Sequence, residues 1–159
     1  MEIRNPDLEV QRRAMSKLNF LVGKWTGEAR MLRPGGQSVD LQQTEDAQYK
    51  LNDLVLIIEG LGRRASDGQP VLQALGLISY DDATSKYHFR AFNDGRFLHT
   101  EATLLETGQG LTWEFALGEI ATSSILRINE NGEWTEHHQI RIGGGAAKPL
   151  MDVTVRRTK

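Results

Sequence analysis

The chain of 159 residues contains no cysteine, which excludes disulfide staples, thiolate metal sites and thiol catalysis. It has no apolar run long enough to span a bilayer. Its first residues, Met1-Glu2-Ile3-Arg4-Asn5-Pro6-Asp7, lack the apolar core of a secretory signal. A cytoplasmic location without a membrane span is the expectation. Charge is not gathered by sign either: 19 basic and 21 acidic residues are interspersed, and the doublets Arg12-Arg13, Arg63-Arg64 and Arg156-Arg157 stand alone. A nucleic-acid partner, which needs a clustered basic face, is not expected.

Several reaction signatures are missing as well. No serine sits in a nucleophile-elbow context. Gly143-Gly144-Gly145 precedes a strand and lacks the Lys-Ser/Thr ending of a phosphate loop, so it reads as a plain loop. His137 and His138 are adjacent on a strand, point to opposite faces and cannot share a metal ion. No His-Glu spacing suggests zinc, and neither a metal nor a cofactor is expected.

What the chain does have, from about residue 24 onward, is a run of short alternating segments punctuated by turn signals. The tight turns are Asp94-Gly95, Thr107-Gly108, Gly118-Glu119 and Asn131-Gly132, with looser breaks at Pro34-Gly35-Gly36, Asp67-Gly68 and Asp81-Asp82. Two-residue loops bearing glycine join antiparallel neighbours. Ten strands are predicted, over about 24–33, 37–50, 53–63, 71–81, 86–93, 96–106, 110–117, 120–129, 133–142 and 149–157. The fold class is therefore all-β: an up-and-down antiparallel barrel in one domain spanning 1–159, wide enough to hold a small ligand.

Asn5-Pro6-Asp7 reads as a helix start with Asn5 as cap, and a helix follows over about 6–19. Leu8, Met15, Leu18 and Val22 fall near one face of it, flanked by Ala14 and Leu21. Such a helix either closes one end of the barrel or packs on its outside. Leu54-Val55-Leu56-Ile57-Ile58 is apolar on both parities, which asks for cover on its outer face from that helix or from a second copy in a homodimer.

The turns also fix which side chains look inward. The Asp94-Gly95 loop pairs Phe92 with Phe97, Arg90 with His99 and His88 with Glu101 on one face, leaving Tyr87, Phe89, Ala91, Leu98, Thr100, Ala102 and Leu104 on the other. The next two turns add Trp113, Phe115 and Leu117, then Ile120, Thr122, Ser124, Leu126 and Ile128, to that second, apolar face. At Asn131-Gly132 a two-residue loop would send Thr135, His137, Gln139 and Arg141 inward. A three-residue loop, Glu130-Asn131-Gly132, would send Trp134, Glu136, His138, Ile140 and Ile142 inward, and burial of Trp134 and two isoleucines favours it.

The predicted interior is then an aromatic wall of Tyr87, Phe89, Trp113, Phe115 and Trp134 with polar spots at Thr100, Thr122, Ser124, Glu136 and His138. Apolar lining with a few convergent polar groups is the usual make-up of a ligand pocket. His88, Arg90, His99 and Glu101 read as a solvated cross-strand cluster on the outer face. Trp25, opening the first strand, reads as a plug for one end of the barrel, with Arg156 or Arg157 stacked over its indole.

Phe20-Leu21-Val22-Gly23-Lys24-Trp25-Thr26-Gly27-Glu28, then Gly76-Leu77-Ile78-Ser79-Tyr80-Asp81 and Lys86-Tyr87, resembles an uncharacterised bacterial family of calycin-like barrels, relatives of the lipocalins and fatty-acid-binding proteins. The resemblance implies a ten-stranded barrel and gives no activity. The related nitrobindin-like barrels carry haem on a late histidine, whereas the last strand here, Lys148-Pro149-Leu150-Met151-Asp152-Val153-Thr154-Val155, has none. The leading expectation is binding of a small hydrophobic or amphipathic molecule by Tyr87, Phe89, Thr100, Trp113, Phe115, Ser124, Glu136 and His138. The alternatives are an isomerase or hydrolase with His138 as general base and Glu136 orienting it, a haem protein, and a solidly packed interaction module.

Overall fold

A computed structural model describes residues 3–33 and 35–158. Pro34, part of one turn signal, lies outside the described residues. A short helix α1 (Leu8–Ser16) and a single 3-10 turn (Asn19–Leu21) precede ten strands. These are β1 (Gly23–Leu32), β2 (Ser38–Lys50), β3 (Val55–Arg64), β4 (Pro70–Asp81), β5 (Lys86–Asn93), β6 (Arg96–Leu104), β7 (Gly110–Leu117), β8 (Ile120–Ile128), β9 (Trp134–Ile142) and β10 (Lys148–Arg157). Each pairs antiparallel with its sequence neighbour, and β1 pairs with β10 to close the barrel. Closure leaves no continuous free edge at the seam.

The turns set the register as the sequence indicated. Asn93 pairs with Arg96 around Asp94-Gly95, Leu104 with Leu111, Leu117 with Ile120 and Ile128 with Trp134. At the last of these corners the loop is the three-residue one: Asn129 N donates to Glu133 O, and Gly132 sits at φ +74°, a left-handed value that glycine adopts without strain. Trp134, Glu136 and His138 accordingly face inward.

The helix differs from expectation in extent and cap. Asp7, not Asn5, caps it, its carboxylate accepting from the Glu9 and Val10 amides, and it stops at Ser16. Leu8 is exposed; Met15, Leu18 and Leu21 are fully buried against the barrel core. Of the two placements considered, the helix takes the end-closing one. Tyr49 and Tyr87, on inward registers of β2 and β5, donate their hydroxyls to the carbonyls of Met15 and Ala14 at 2.6 Å each. Burial first of all pushes both phenols up to about 12, so they remain donors throughout the neutral range. Outside, Asp82 in the β4–β5 turn accepts from Gln11 Nε2, Arg4 and the Asp7 amide, which pins the start of the helix.

That end is sealed beneath the helix by Trp25 and Trp134, packed edge to face at 5.4 Å. Trp25 Nε1 donates to Leu21 O at 2.9 Å. The arginine over the indole is Arg157, 4.2 Å from the ring centroid, and its guanidinium also donates to the carbonyls of Val22 and Phe20. The helix does not cover the outer face of β3, where Val55 and Ile57 stay partly exposed.

Tyr87→Phe leaves the Ala14 carbonyl without its donor and should lower unfolding stability by about 1 kcal/mol in urea titrations. Amide exchange should quicken over residues 8–18 before it changes in β7–β9.

Candidate functional site

Burial along the inner face is graded. Near the helix the inward residues Leu56, Ile78, Tyr87, Ala102, Leu111, Leu126, Trp134 and Val155 are all buried. Toward the opposite mouth Phe89, Leu98, Thr100, Phe115, Thr122 and Ile140 are only partly so, and Leu117 and Ile142 are exposed. One half of the barrel is packed and the other is hollow. A cavity of about 620 Å³ opens at this mouth, lined by inward Leu98, Thr100, Phe115, Thr122 and Ile140 and by outward residues of the same strands from Phe97 to Arg141. A second of about 580 Å³ adjoins it, mostly on the outer side of β6–β9, and takes in the inward residues Thr100, Trp113 and Ser124.

The wall is also open on one side. The β6–β7 ladder consists of Ala102↔Trp113, Thr103↔Thr112 and Leu104↔Leu111, and stops there. Beyond it, Arg96–Glu101 of β6 and Glu114–Leu117 of β7 run unpaired with each other. Both cavities follow this slit, which is why outward residues such as His99 and Glu114 share their lining with inward ones.

The aromatic wall divides between the two halves. Phe89, Trp113 and Phe115 form a ring cluster on one side of the sheet, with centroids 5.0 Å and 6.1 Å from Phe89. Tyr87 and Trp134 belong instead to the sealed end: the hydroxyl of one is committed to the helix, and the other packs on Trp25. The polar spots converge at the boundary between packed and hollow halves. Ser124 Oγ lies 2.7 Å from His138 Nδ1, and His138 Nε2 lies 2.7 Å from Glu136 Oε2. Trp134 Nε1 donates to Glu136 Oε1 at 2.8 Å. His138 meets the Trp113 ring edge-on at 6.0 Å. Thr100 and Thr122 face the hollow without joining this network.

Two site residues were missing from the expected set. Gln43 and Glu45 on β2 face inward and are 1% and 7% exposed. Gln43 Nε2 donates to Glu45 Oε1 at 2.7 Å, and Gln43 Oε1 has no donor among the described residues. Burial, then repulsion from Glu136, pushes the Glu45 carboxyl well above the usual range, offset in part by the Gln43 bond. The sequence holds a signal for this pair. Gly60 and Gly62 stand opposite Glu45 and Gln43 in the β2–β3 ladder. A Cβ at either glycine would lie within 3 Å of the facing side chain's oxygen, so the glycines make the room in which those groups sit.

The outer-face cluster is where the register placed it: His88 Nδ1 lies 3.2 Å from His99 Nε2, and Lys86 pairs with Glu101. His137 faces outward onto Asp152. Among the described residues no three His, Cys, Asp or Glu side chains converge on one point. An axial-histidine haem does not fit this interior. His138 is the one inward histidine and both its nitrogens are engaged, while β10 presents Met151, Val153 and Val155.

No family model matches the chain, and no curated protein does. Among solved structures it is similar to Rv2717c from M. tuberculosis, with a TM-score of 0.74 at 16% identity, covering 92% of this chain and 98% of that one. It is also similar to the S-type phycobiliprotein lyase CPES from Guillardia theta, with a TM-score of 0.65 at 10% identity, covering 95% and 97%. At such identities the likeness is one of fold: the closed ten-stranded antiparallel barrel. No helix among the described residues is long and apolar enough to cross a membrane.

The raised Glu45 makes a pH prediction with a definite sign. Its proton is held more tightly in the folded state, so its contribution is full below the unfolded value of 4.5 and is lost as pH rises through the folded one. Melting temperature measured against pH should fall across that window in the wild type, and Glu45→Gln should flatten the fall.

Proposed function

We propose that the protein binds a small hydrophobic or amphipathic molecule in the hollow half of the barrel. The graded burial of the inner face carries this reading: a barrel acting only as a packed module would have no reason to leave Phe89, Phe115 and Ile140 accessible from within. In this reading Phe89, Trp113, Phe115 and Ile140 supply apolar contact. Ser124, His138 and Glu136 meet the polar end, Thr100 and Thr122 line the walls, and Tyr87 serves the seal. The similarity to a phycobiliprotein lyase supports a barrel that handles a small molecule.

Chemistry on the bound molecule is the second reading, favoured by the in-line arrangement Ser124–His138–Glu136. Binding is preferred to it for two reasons. Ser124 lies mid-strand on β8, away from any helix N-terminus that would stabilise an oxyanion. His138 Nδ1 is bonded to Ser124 Oγ and Nε2 to Glu136, so the imidazole reaches a bound molecule only through the Ser124 hydroxyl.

Two copies pairing remains part of the proposal. Its support is an outer stripe running from Ile57 and Leu77 to Leu75, Phe92 and Phe97, with the last two rings 5.2 Å apart. Light scattering on a size-exclusion column should show twice the monomer mass for the wild type, and Phe97→Glu should reduce it to one.

Native mass measurement of freshly purified protein should reveal a retained small molecule. Thr122→Trp, which fills the space between Phe115 and Ile140, should weaken binding of the uncharged probe Nile red by at least about tenfold while leaving the melting temperature within a few degrees. Unchanged Nile red affinity in that variant would place the probe elsewhere and sink the reading.

A further inference from the structure

We infer that the open mouth of the barrel docks on an anionic lipid bilayer, with Leu117, Ile120 and Ile142 entering the membrane and surrounding arginine and lysine side chains meeting its headgroups. The inference concerns the outer rim of the mouth and does not rest on a ligand in the hollow.

Charge that is interspersed along the sequence is sorted by the topology, because in an up-and-down barrel every second corner falls at the same end. The corners opposite the helix span residues 33–37, 63–70, 93–96, 117–120 and 141–148. They hold six cations, Arg33, Arg63, Arg64, Arg96, Arg141 and Lys148, against three anions, Asp67, Asp94 and Glu119. The mouth is therefore net positive by three in a chain whose formal charge is −2. Asp67 is taken by Arg64. Among the described residues, none of the other five cations has a carboxylate within 4 Å, so all five are left for an anion from outside.

Three apolar side chains stand at the same rim. Leu117 pairs with Ile120 and Ile120 with Ile142, which makes one unbroken row across β7, β8 and β9. They share the inward parity, yet they occupy the last rung, where no further side chain covers them, and they are 69%, 43% and 64% exposed. Gly143 N donates to Glu119 O at 2.8 Å, which ties together the two corners that carry the row. The loop beside it, Gly143-Gly144-Gly145-Ala146-Ala147, has neither charge nor bulk to hold the row away from a surface, and Arg141 and Lys148 flank it. Arg96 opens β6, the next strand round the barrel from β7.

A protein partner needs a packed, complementary face, whereas this rim is a single row of side chains at the edge of an opening. Acyl chains conform to such a row, and anionic headgroups attract the cations set around it. The opposite end also exposes apolar residues, Ile3, Leu8 and Leu51, but none is a ladder partner of another. Charge decides between the two ends. Residues 3–22, 50–55, 81–86, 104–110, 128–134 and 157 at the helix end carry seven cations against eight anions, which an anionic surface does not attract.

The test is co-sedimentation at low salt with vesicles of phosphatidylcholine alone and with about one third phosphatidylglycerol. The wild type should partition at least about tenfold more strongly onto the anionic vesicles, and added salt should weaken that preference. Leu117→Ser with Ile142→Ser should lower the anionic partition at least about tenfold, and Arg141→Glu with Lys148→Glu should bring it to the neutral-vesicle level. All four side chains are exposed, so a melting temperature close to that of the wild type shows that each variant is folded. The matching reversal at the other end, Arg13→Glu with Lys17→Glu, should leave partition unchanged. No preference for anionic vesicles, or an equal loss from the reversal at the helix end, overturns the inference. Loss with the mouth reversal but none with Leu117→Ser and Ile142→Ser also overturns it, because the mouth then meets a soluble polyanion and not a bilayer.

Discussion

The seal at the helix end is the constraint on which the rest depends. Trp25 is held there from three sides: by the edge of Trp134, by the Arg157 guanidinium above its ring, and by Leu21 O at its Nε1. These contacts join β1, β9, β10 and the segment after the helix, elements from both ends of the chain. A cation over an indole is worth about 0.5–2 kcal/mol, and an edge-to-face pair about 0.5–1.5 kcal/mol beyond its buried area. The larger effect is geometric. With the chain's two ends fixed to one another at that corner, β1 and β10 meet in register from Trp25↔Arg157 to Met31↔Met151, and the barrel is closed.

A ten-stranded barrel encloses more volume than its inward side chains fill. The helix and the two tryptophans fill one end, and the remaining volume collects at the other. The boundary between them falls at Glu136, His138 and Ser124, so polar groups sit where the apolar packing gives out. Placed deeper, Glu136 and Glu45 would face an all-apolar surround and the full cost of burying charge. Their depth keeps Glu136 bonded to Trp134 Nε1 and His138 Nε2. The missing pairing between β6 and β7 adds a side entrance at the same level, since Trp113 is the last paired residue of β7 before the slit.

Most of the architecture was legible because turns with few permitted geometries dictate parity. Asp94-Gly95 allows one hairpin register, which puts Phe89 and Thr100 on one face, and the Thr107-Gly108 corner adds Trp113 and Phe115 to it. The Thr107-Gly108 corner is looser than a two-residue loop, with Leu105 N donating to Gly110 O, yet it preserves the same register because two residues were added symmetrically. The packed and hollow halves were not legible. They depend on how far along each strand the helix reaches, and Tyr87 and Phe89 look alike in sequence although one is sealed and the other lines space. The β2–β3 corner carried no glycine: Leu51, Asn52 and Asp53 all adopt positive φ, a conformation that Asn and Asp tolerate and leucine seldom does. With that turn unread, the inward parity of β2 was unread too, and Gln43 and Glu45 went unnoticed. The pair Gly60 and Gly62 would have found them, since two glycines on one face of a central strand leave a space that large facing side chains must occupy.

The separation into halves leaves closure and seal independent of the side chains that line the hollow. Closure, seal and register need an apolar pattern, a few glycine-bearing corners and one arginine over one tryptophan. None of these involves the side chains of the hollow. A residue such as Thr122 or Ile140 touches neither the helix nor the seal, so its replacement changes what fits without threatening the barrel. The buried polar groups are the intermediate case. Glu136 is tied to the seal through Trp134 Nε1, whereas Glu45 and Gln43 depend only on the room that Gly60 and Gly62 leave. Substitution is therefore tolerated most readily in the hollow, next at the Gln43–Glu45 pair, and least at Trp134, where a change would also loosen the end that holds the two halves of the chain together.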